Sequence, residues 1–401
     1  MPVTLSIISN VFDPRERGKA IGIWAGAVGL AVAIGPLLGG FLLENFWWGS
    51  VFLINVPIVL LGLLAVSILV PESRDPSPGK IDLVGVLLSV AGLVALTYGI
   101  VDGGEHGFGR FSVWAWIIGG AAILAYFLFW EARSTHPSLD VKLFRNSRFS
   151  ASIASIALMF FAAMGTFFFG GFFLQVVRGF SPMESGALFV PFAIGQMVFA
   201  PLSTNLVKRF GHRAVSAGGL LLASATFAAM AFWTVETPVW VIVVDFLLMG
   251  VGMACVMPPA MNTIMASLPR EKAGVGSAVS NTVRQVAAAL GVAVLGTVVA
   301  SVYRSQVADA ASALPAQLRG PAEESITGAY GVAAHAGPAA GPLLNAANSA
   351  FVEAMHWAAW GSTIVGLIGV LVALRWLPRK QTPPPSTAPA IGEPELVGSS
   401  R

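Results

Sequence analysis

Two ionisable residues stand inside long apolar stretches of this 401-residue sequence. Asp245 lies in the run 238–257, and Arg284 lies in the run 277–300. A charge within a lipid bilayer is costly, so such a residue indicates a water-filled path, a charged partner or a ligand. Asp245 has two possible interpretations. It is either a proton relay or a carboxyl near the interface that is hydrogen-bonded to water or to a neighbouring group. Arg284 also has two possible interpretations. It either lines a functional cavity, or it has a structural role in which its side chain snorkels to the interface or bonds to helix carbonyls.

The two charges are not expected to pair with each other. Asp245 lies about 10 Å from one end of its run, and Arg284 lies a similar depth from the opposite end of the next. Arg284 cannot itself carry a proton, because a guanidinium stays charged at accessible pH. Uncharged polar side chains are candidates for a substrate cavity or for hydrogen bonds between helices. They are Gln175, Gln196, Asn262, Asn281 and Gln285.

The remaining residues exclude several classes of protein. We find no phosphate-binding loop, no metal-ligand cluster and no nucleophile beside a suitable base, which disfavours an enzyme, a cofactor and ATP-driven transport. Cys255 is the one cysteine, so neither an internal disulfide framework nor a cysteine metal site can form. A formal net charge of +3 without a basic patch disfavours nucleic acid as a partner.

Membrane-spanning helices are the elements that must position these residues. Hydrophobic residues make up 56% of the chain and charged residues only 11%, against roughly a quarter in a soluble domain. A helix needs about 20 apolar residues to cross the hydrocarbon core. The length and continuity of the apolar runs exclude a β-barrel and predict an all-α polytopic fold. We count ten runs: 20–43, 45–71, 83–101, 111–130, 149–177, 185–207, 214–235, 238–257, 277–300 and 354–374.

The distribution of basic residues predicts the orientation. Ten spans place both ends of this chain on one side of the membrane. With a cytoplasmic start, inner segments hold 18 of the 23 Lys and Arg residues, outer segments hold four, and Arg284 is the last. Cytoplasmic loops carry such an excess of Lys and Arg. We therefore expect a multi-pass protein of the bacterial cytoplasmic (inner) membrane, with both ends in the cytosol and the lipid bilayer as its surroundings.

Two connecting segments are long. Residues 301–352 are rich in Ala, Gly and Pro, and we expect a solvated, partly ordered outer loop without chemistry of its own. Residues 378–401 include three consecutive prolines and are expected to form a disordered cytoplasmic tail.

Glycine, proline and arginine recur in patterns near the spans. The first span contains Gly22, Gly35, Pro36, Gly39 and Gly40, and such small residues let a neighbouring helix approach closely, while a proline bends its helix. Ordinary helix packing is the simplest interpretation. Before this span, the segment 13–18 includes Arg15, Arg17 and Gly18, and it is echoed by 268–273 before the ninth span. Matching loops in two halves are typical of a transporter built from repeats.

These patterns together resemble the major facilitator superfamily. The string 35–40, with Gly22 upstream, is similar to the antiporter motif in the fifth helix of its exporters, although Ala31 replaces a usual glycine. The segments 14–24, 51–57 and 274–285 look like those of the drug/proton antiporter family with fourteen helices. The second copy of the superfamily's cytoplasmic loop signature is similar to a further set of residues, namely Leu206, Arg209, Gly211 and Arg213. The glycine and the acid of that signature are replaced here by Thr204 and Lys208.

The resemblance covers nearly the whole chain and implies its organisation. The ten spans would correspond to helices five to fourteen, and 1–12 to the end of helix four. Residues 1–70 would then end the N-terminal bundle, 71–148 would be a linker region with two additional spans, and 149–377 would form a C-terminal six-helix bundle.

The resemblance also implies a function. It indicates a secondary transporter that exports drugs or other amphipathic small molecules by alternating access, with protons as the coupling ion. Two alternatives stay open at this point: an exporter of one metabolite or siderophore on the same fold, or an inactive truncated product.

Overall fold

A computed structural model describes residues 31, 34–69, 82–134, 141–268, 273–334, 337 and 340–378. These residues form helices and no β-strand. In chain order the helices are α1 (34–45), α2 (Ser50–Leu53), α3 (Asn55–Leu69), α4 (Leu83–His106), α5 (Phe111–Arg133), α6 (Ser147–Phe172), α7 (Pro182–Leu188), α8 (Val190–Phe210), α9 (His212–Met230), α10 (Val239–Ala254), α11 (Met257–Ala266), α12 (Ala273–Ser312), α13 (Ala316–Glu324), α14 (Ile326–Ala333) and α15 (Ala340–Trp376).

The predicted all-α polytopic fold is confirmed. Among the described residues, nine helical segments are long and apolar enough to cross a membrane. They correspond to nine of the ten predicted spans, and the other one, 20–43, lies mostly outside the described residues. The segment 1–12, the loop 13–18 and the tail from 379 onward lie outside them entirely.

Two spans are interrupted by short breaks. α7 and α8 form one span, 182–210, with a break at Phe189. α10 and α11 form another, and the break at Cys255 and Val256 precedes Pro258 and Pro259. Because proline has no backbone N–H to donate, the helix cannot continue unbroken into these two residues. The predicted run 238–257 therefore extends to residue 266 after the break.

Six of the spans pack into one bundle around a shared apolar core. α6 contacts α12 and α15, α9 contacts α10 and α15, and α8 contacts α10. Glycines bring backbones close at these crossings. A Cβ added at Gly195 of α8 would lie 2.6 Å from the Leu247 carbonyl oxygen of α10. Between α6 and α15, the Thr166 hydroxyl donates a hydrogen bond of 2.8 Å to Ser362 Oγ in the interior.

The helices α4 and α5 form a pair that lies against this bundle. They pack on each other, and α4 also packs on α12. The Thr297 hydroxyl of α12 donates a hydrogen bond of 3.3 Å to the Ile100 carbonyl of α4. At one end of the pair, Trp130 Nε1 donates to the Asp82 carboxylate at 3.0 Å.

The segment 301–352 differs from the expected loop. α12 continues to Ser312, α13 and α14 follow, and α15 begins at Ala340. Ala322 and Ile326 are buried, and the Tyr303 hydroxyl donates a hydrogen bond of 3.2 Å to the Ala322 carbonyl. Alanine is the strongest helix former, and its small side chain allows close packing. The expectation was wrong because an alanine-rich composition was interpreted as loop.

Candidate functional site

The glycine-rich helix α1 meets the short helix α7 in a close backbone contact. A Cβ added at Gly40 would lie 2.5 Å from the Pro182 carbonyl oxygen and 2.7 Å from the Cα of Met183. A Cβ added at Gly186 would collide with the Pro36 carbonyl oxygen. We call this contact of Pro36, Gly40, Pro182 and Gly186 the glycine seam. Only glycine allows the two backbones to approach this closely.

Two other members of the predicted motif lie away from the seam. Among the described residues, nothing would come within 4 Å of a Cβ added at Gly35 or Gly39. The sequence predicted that Gly35 and Pro36 would make a close helix contact. In the structure, the residues of α1 that contact α7 closely are Pro36 and Gly40. Gly22 lies outside the described residues.

The other side of the seam was not identified from the sequence. Helix α7 begins with a capping box, in which the Ser181 hydroxyl accepts from the Glu184 N–H at 3.2 Å, and Glu184 Oε2 accepts from the Ser181 N–H at 2.8 Å. This arrangement satisfies two backbone donors that would otherwise lack partners. The pattern Ser-Pro-x-Glu followed by Gly186 was the available signal, because it marks a fixed helix start beside a small residue.

Arg284 is held between α12 and α6. Its Nη2 donates a hydrogen bond of 2.7 Å to Asn281 Oδ1, and its guanidinium carbon lies 5.3 Å from the centre of the Phe160 ring. The Nε is buried and has no hydrogen-bond partner among the described residues. The side chain is half-buried. Asn281 and Phe160 thus fix the direction of a positive charge and leave one donor for a group that the described residues do not supply.

Asp245 lies elsewhere in the bundle. It is 6% exposed, and no hydrogen bond or ion pair joins it to another described residue. It shares a face of α10 with Gly252, seven residues further on, and a Cβ added at Gly252 would lie 3.0 Å from the Ala223 N of α9. Asp245 therefore faces α9. Arg284 lies on α12, which packs on α6 and α15.

The polar residues proposed for a substrate cavity do not gather into one hydrogen-bonded group within the described part of the chain. Asn281 binds Arg284, as described above, and Gln196 Nε2 lies 3.6 Å from the sulfur of Met253. The other three are exposed. Those three are Gln175, Asn262 and Gln285.

Comparison with known proteins places this arrangement in a family. The model of the Major Facilitator Superfamily matches residues 1–292. The chain belongs to this superfamily. It is 36% identical to the multidrug efflux pump LfrA of Mycolicibacterium smegmatis over 88% of this chain and 70% of that protein. It is 31% identical to the tetracenomycin C resistance and export protein of Streptomyces glaucescens over 93% of this chain and 71% of that protein.

A solved structure supports the fold of this superfamily member. It is a bacterial homolog of the human lysosomal transporter Spinster, and the match has a TM-score of 0.53 at 18% sequence identity. The match covers 95% of this chain and 75% of that one. At this identity the likeness concerns the helical architecture alone.

The segment predicted to resemble the superfamily's second loop signature connects α8 to α9. Gly211 has a φ of +85°, a conformation that favours glycine. Arg209 is exposed and lies over the neighbouring Phe210 ring at 5.3 Å. Arg213 Nε donates a hydrogen bond of 3.0 Å to the Leu377 carbonyl just after α15, so this residue ties the loop to the end of the last helix. The residues of the other predicted loop motif, Arg15, Arg17 and Gly18, lie outside the described residues.

A buried polar pair beside this loop was not found from the sequence. His212 Nδ1 lies 3.0 Å from the Thr263 hydroxyl of α11, and both side chains are buried. His212 comes directly after Gly211 in the loop, which was its only signal. The pair joins the start of α9 to α11, next to the tie made by Arg213.

Proposed function

We propose that this chain belongs to a proton-coupled exporter of drugs or other amphipathic small molecules, working by alternating access in a bacterial cytoplasmic membrane. The glycine seam is the observation that supports this most directly. Alternating access needs two groups of helices that approach and separate around a fixed site. The seam joins the antiporter-like helix α1 to the span that begins with α7 through backbone alone, so long side chains need not disengage when the groups separate.

The names of the two curated relatives support the same class of substrate. One is named for multidrug efflux, and the other is named for resistance to tetracenomycin C and its export. Both names agree with the export of a drug or another small molecule. The apolar walls of the bundle, with a small number of polar side chains such as Gln196 and Asn281, are typical of a site for such a molecule.

In this proposal Arg284 acts as a fixed charge within the transport path. Its guanidinium is directed by Asn281 and Phe160, and its buried Nε is available to a substrate, a water molecule or a carboxylate that moves during transport. A buried charge-assisted donor of this kind gains strongly from a partner. Asp245 is the candidate proton carrier among the described residues, since a carboxyl can titrate and a guanidinium cannot.

Transport by everted membrane vesicles tests the proposal. Vesicles from cells that make this chain, energised so that their interior becomes acidic, should accumulate a fluorescent amphipathic dye as protons leave, and a protonophore should abolish the accumulation. Vesicles from cells with empty vector provide the control. Accumulation equal to the vector control would reject export by this chain, and accumulation that survives the protonophore would reject proton coupling.

An exporter of one compound is the second candidate, because one relative is named for tetracenomycin C alone. Competition in the same vesicles separates the two. A multidrug exporter should show inhibition of dye accumulation by several chemically unrelated amphiphiles, whereas an exporter of one metabolite or siderophore should respond to a single scaffold.

A further inference from the structure

A cleft of about 610 Å³ lies between the turn that follows α9 and the face of α15. One wall is a stripe on α15 that combines a hydroxyl, a carboxylate and two indoles. Its members are Ser349, Glu353, Trp357 and Trp360. Their spacing of four, four and three residues places them on one side of the helix. The opposite wall includes Thr234 and Val235.

Two contacts hold these walls at a fixed separation. His356 Nε2–H donates a hydrogen bond of 2.6 Å to the Trp233 carbonyl in the turn. The Phe232 and Trp360 rings meet edge to face with centroids 5.9 Å apart. The cleft is therefore built by packing between two elements, and its shape does not depend on a bound molecule.

The cleft lies at the opposite end of α15 from the loop that holds Arg213. His356 stands 21 residues before Leu377, the residue whose carbonyl binds Arg213. At 1.5 Å per residue this is about 30 Å along α15, which is one hydrocarbon thickness. The cleft thus opens at the membrane interface opposite to the loop that holds Arg213.

The chemistry of the lining selects a class of ligand. Glu353 is exposed, and it forms no ion pair with another described residue. Trp357 and Trp360 are 58% and 41% exposed, so part of each indole is open to a ligand, and Trp360 also contacts Phe232. A carboxylate beside two open indoles attracts a cation that also carries apolar surface. No Lys or Arg lines the described cleft, so a phosphate or other anion finds no basic partner of that kind there.

We propose that this cleft is a peripheral binding site for a lipophilic organic ammonium ion, with Glu353 supplying the charge and Trp357 and Trp360 supplying the aromatic surface. The ammonium group can belong to a free organic cation or to a phospholipid headgroup. Two indoles of an ordinary interfacial belt would need neither the carboxylate nor the enclosing turn. The inference concerns binding alone, so it stands apart from the proposed transport function.

Binding of a permanently charged probe tests the site. The full chain is purified in dodecyl maltoside, which carries neither charge nor amine, and radiolabelled benzyltributylammonium is titrated by equilibrium dialysis. Glu353→Gln should weaken saturable binding by about three- to tenfold, since it removes the charge at nearly constant shape. Glu236→Gln is the matched control, because Glu236 is an exposed carboxylate in the same turn that does not line the cleft.

A second variant and its control test the contribution of the two tryptophans. The double change Trp357→Leu and Trp360→Leu should weaken binding by a similar factor, whereas Trp240→Leu should leave it unchanged, because Trp240 is 68% exposed at the start of α10 and outside the cleft. Equal elution volumes and melting temperatures establish that all variants fold. Unchanged binding in Glu353→Gln, or equal losses in Glu353→Gln and Glu236→Gln, would overturn the proposal, as would the lack of saturable binding to the parent.

Added lipid distinguishes the two sources of the ammonium group. Phosphatidylethanolamine should compete with the probe if a headgroup is the natural occupant, and phosphatidylglycerol, which lacks an amine, should not. If neither lipid competes while Glu353→Gln still weakens binding, the occupant is a free organic cation.

Discussion

Arg284 is a charged side chain whose direction is set by two neighbours on different helices. Asn281 binds one end of its guanidinium, and the Phe160 ring of α6 covers its face. A side chain that snorkels to the interface would extend along its own helix towards water. The hydrogen bond to Asn281 runs along α12 itself, whereas the contact with Phe160 is made with α6, so the cavity role of Arg284 stays a prediction.

We expect Arg284→Ala to reduce proton-driven dye export by at least about tenfold and Arg284→Lys to reduce it less. Lysine retains the charge but loses the planar group that stacks on Phe160 and binds Asn281. Initial rates in everted vesicles, at matched expression, give the comparison. Export by the Ala variant at the parent's rate at every pH tested would make Arg284 a structural residue.

Arg213 supports stability through the end of α15. Its Nε donates to the Leu377 carbonyl, and its backbone N–H donates to the Pro378 carbonyl at 3.3 Å. A cation at a helix C-terminus also interacts favourably with the unpaired carbonyls there. Arg213→Ala should therefore lower the free energy of unfolding by about 1 to 2 kcal/mol.

The neighbouring Arg209 provides the control for this prediction. It is exposed, and its ring contact is with the adjacent Phe210, so Arg209→Ala should change the free energy of unfolding by less than about 0.5 kcal/mol. Denaturant titration of the purified chain in detergent measures both. Equal effects of the two changes would mean that the Leu377 contact contributes nothing to stability.

Among the elements, α1 and α7 make the contact with the sharpest steric limit. The Pro182 carbonyl lies where a side chain at Gly40 would begin, whereas the space beside Gly39 is open among the described residues. Gly40→Ala should cost about 1 to 3 kcal/mol, because the two backbones must separate to admit one methyl group. Export should fall while membrane insertion persists.

Gly39→Ala is the control, since it adds the same methyl group one residue away, without a clash. Vesicle export and the amount of inserted protein are compared for both variants and the parent. If Gly40→Ala exports as fast as Gly39→Ala, closeness at the seam has no consequence for transport.

The helices that sequence reasoning predicted well are those defined by one physical requirement. An apolar run long enough to cross lipid has few alternatives to helix, so α4, α5, α6 and α9 were expected close to where they lie. The motif around 35–40 was also recognisable, but the member that makes contact was not. Gly35, Gly39 and Gly40 are chemically identical, and only the position of α7 distinguishes them.

The remaining features depend on contacts between segments far apart in the chain. Whether residues 301–352 form loop or helix depends on burial of Ala322 and Ile326 against neighbouring helices, and composition alone cannot show this. The cleft likewise needs the turn after α9 and a stripe on α15, which lie more than a hundred residues apart. Spacing within either segment does not indicate that they meet.

At the scale of the whole molecule, basic residues concentrate at one end of the bundle. The His212–Thr263 contact joins the loop holding Arg209 and Arg213 to α11. Ile264, next to Thr263, packs in the same cluster as Phe149, near the start of α6, where Arg145 and Arg148 lie. Arg178, which binds the Thr237 carbonyl at 2.6 Å, belongs to the opposite end, with the cleft. Such an asymmetry is typical of a cytoplasmic face at the basic end.

We therefore predict that the Arg213 end faces the cytosol and that the cleft faces outward. Single cysteines are placed in a Cys255→Ser background, since Cys255 is the one native cysteine and is buried. Ser147→Cys and Lys208→Cys probe the basic end, and Glu236→Cys and Glu324→Cys probe the other; all four positions are exposed. An impermeant maleimide on intact cells should modify only the last two, because the membrane shields the others.

Permeabilised cells provide the control for this labelling. All four cysteines should then react, and the Cys255→Ser background should not react in either condition. Modification of Ser147→Cys or Lys208→Cys in intact cells would reverse the topology. It would also place the Glu353 cleft on the cytosolic side, so an organic cation would reach it from the cytosol. The same four variants thus determine the side from which the proposed ammonium site can be filled.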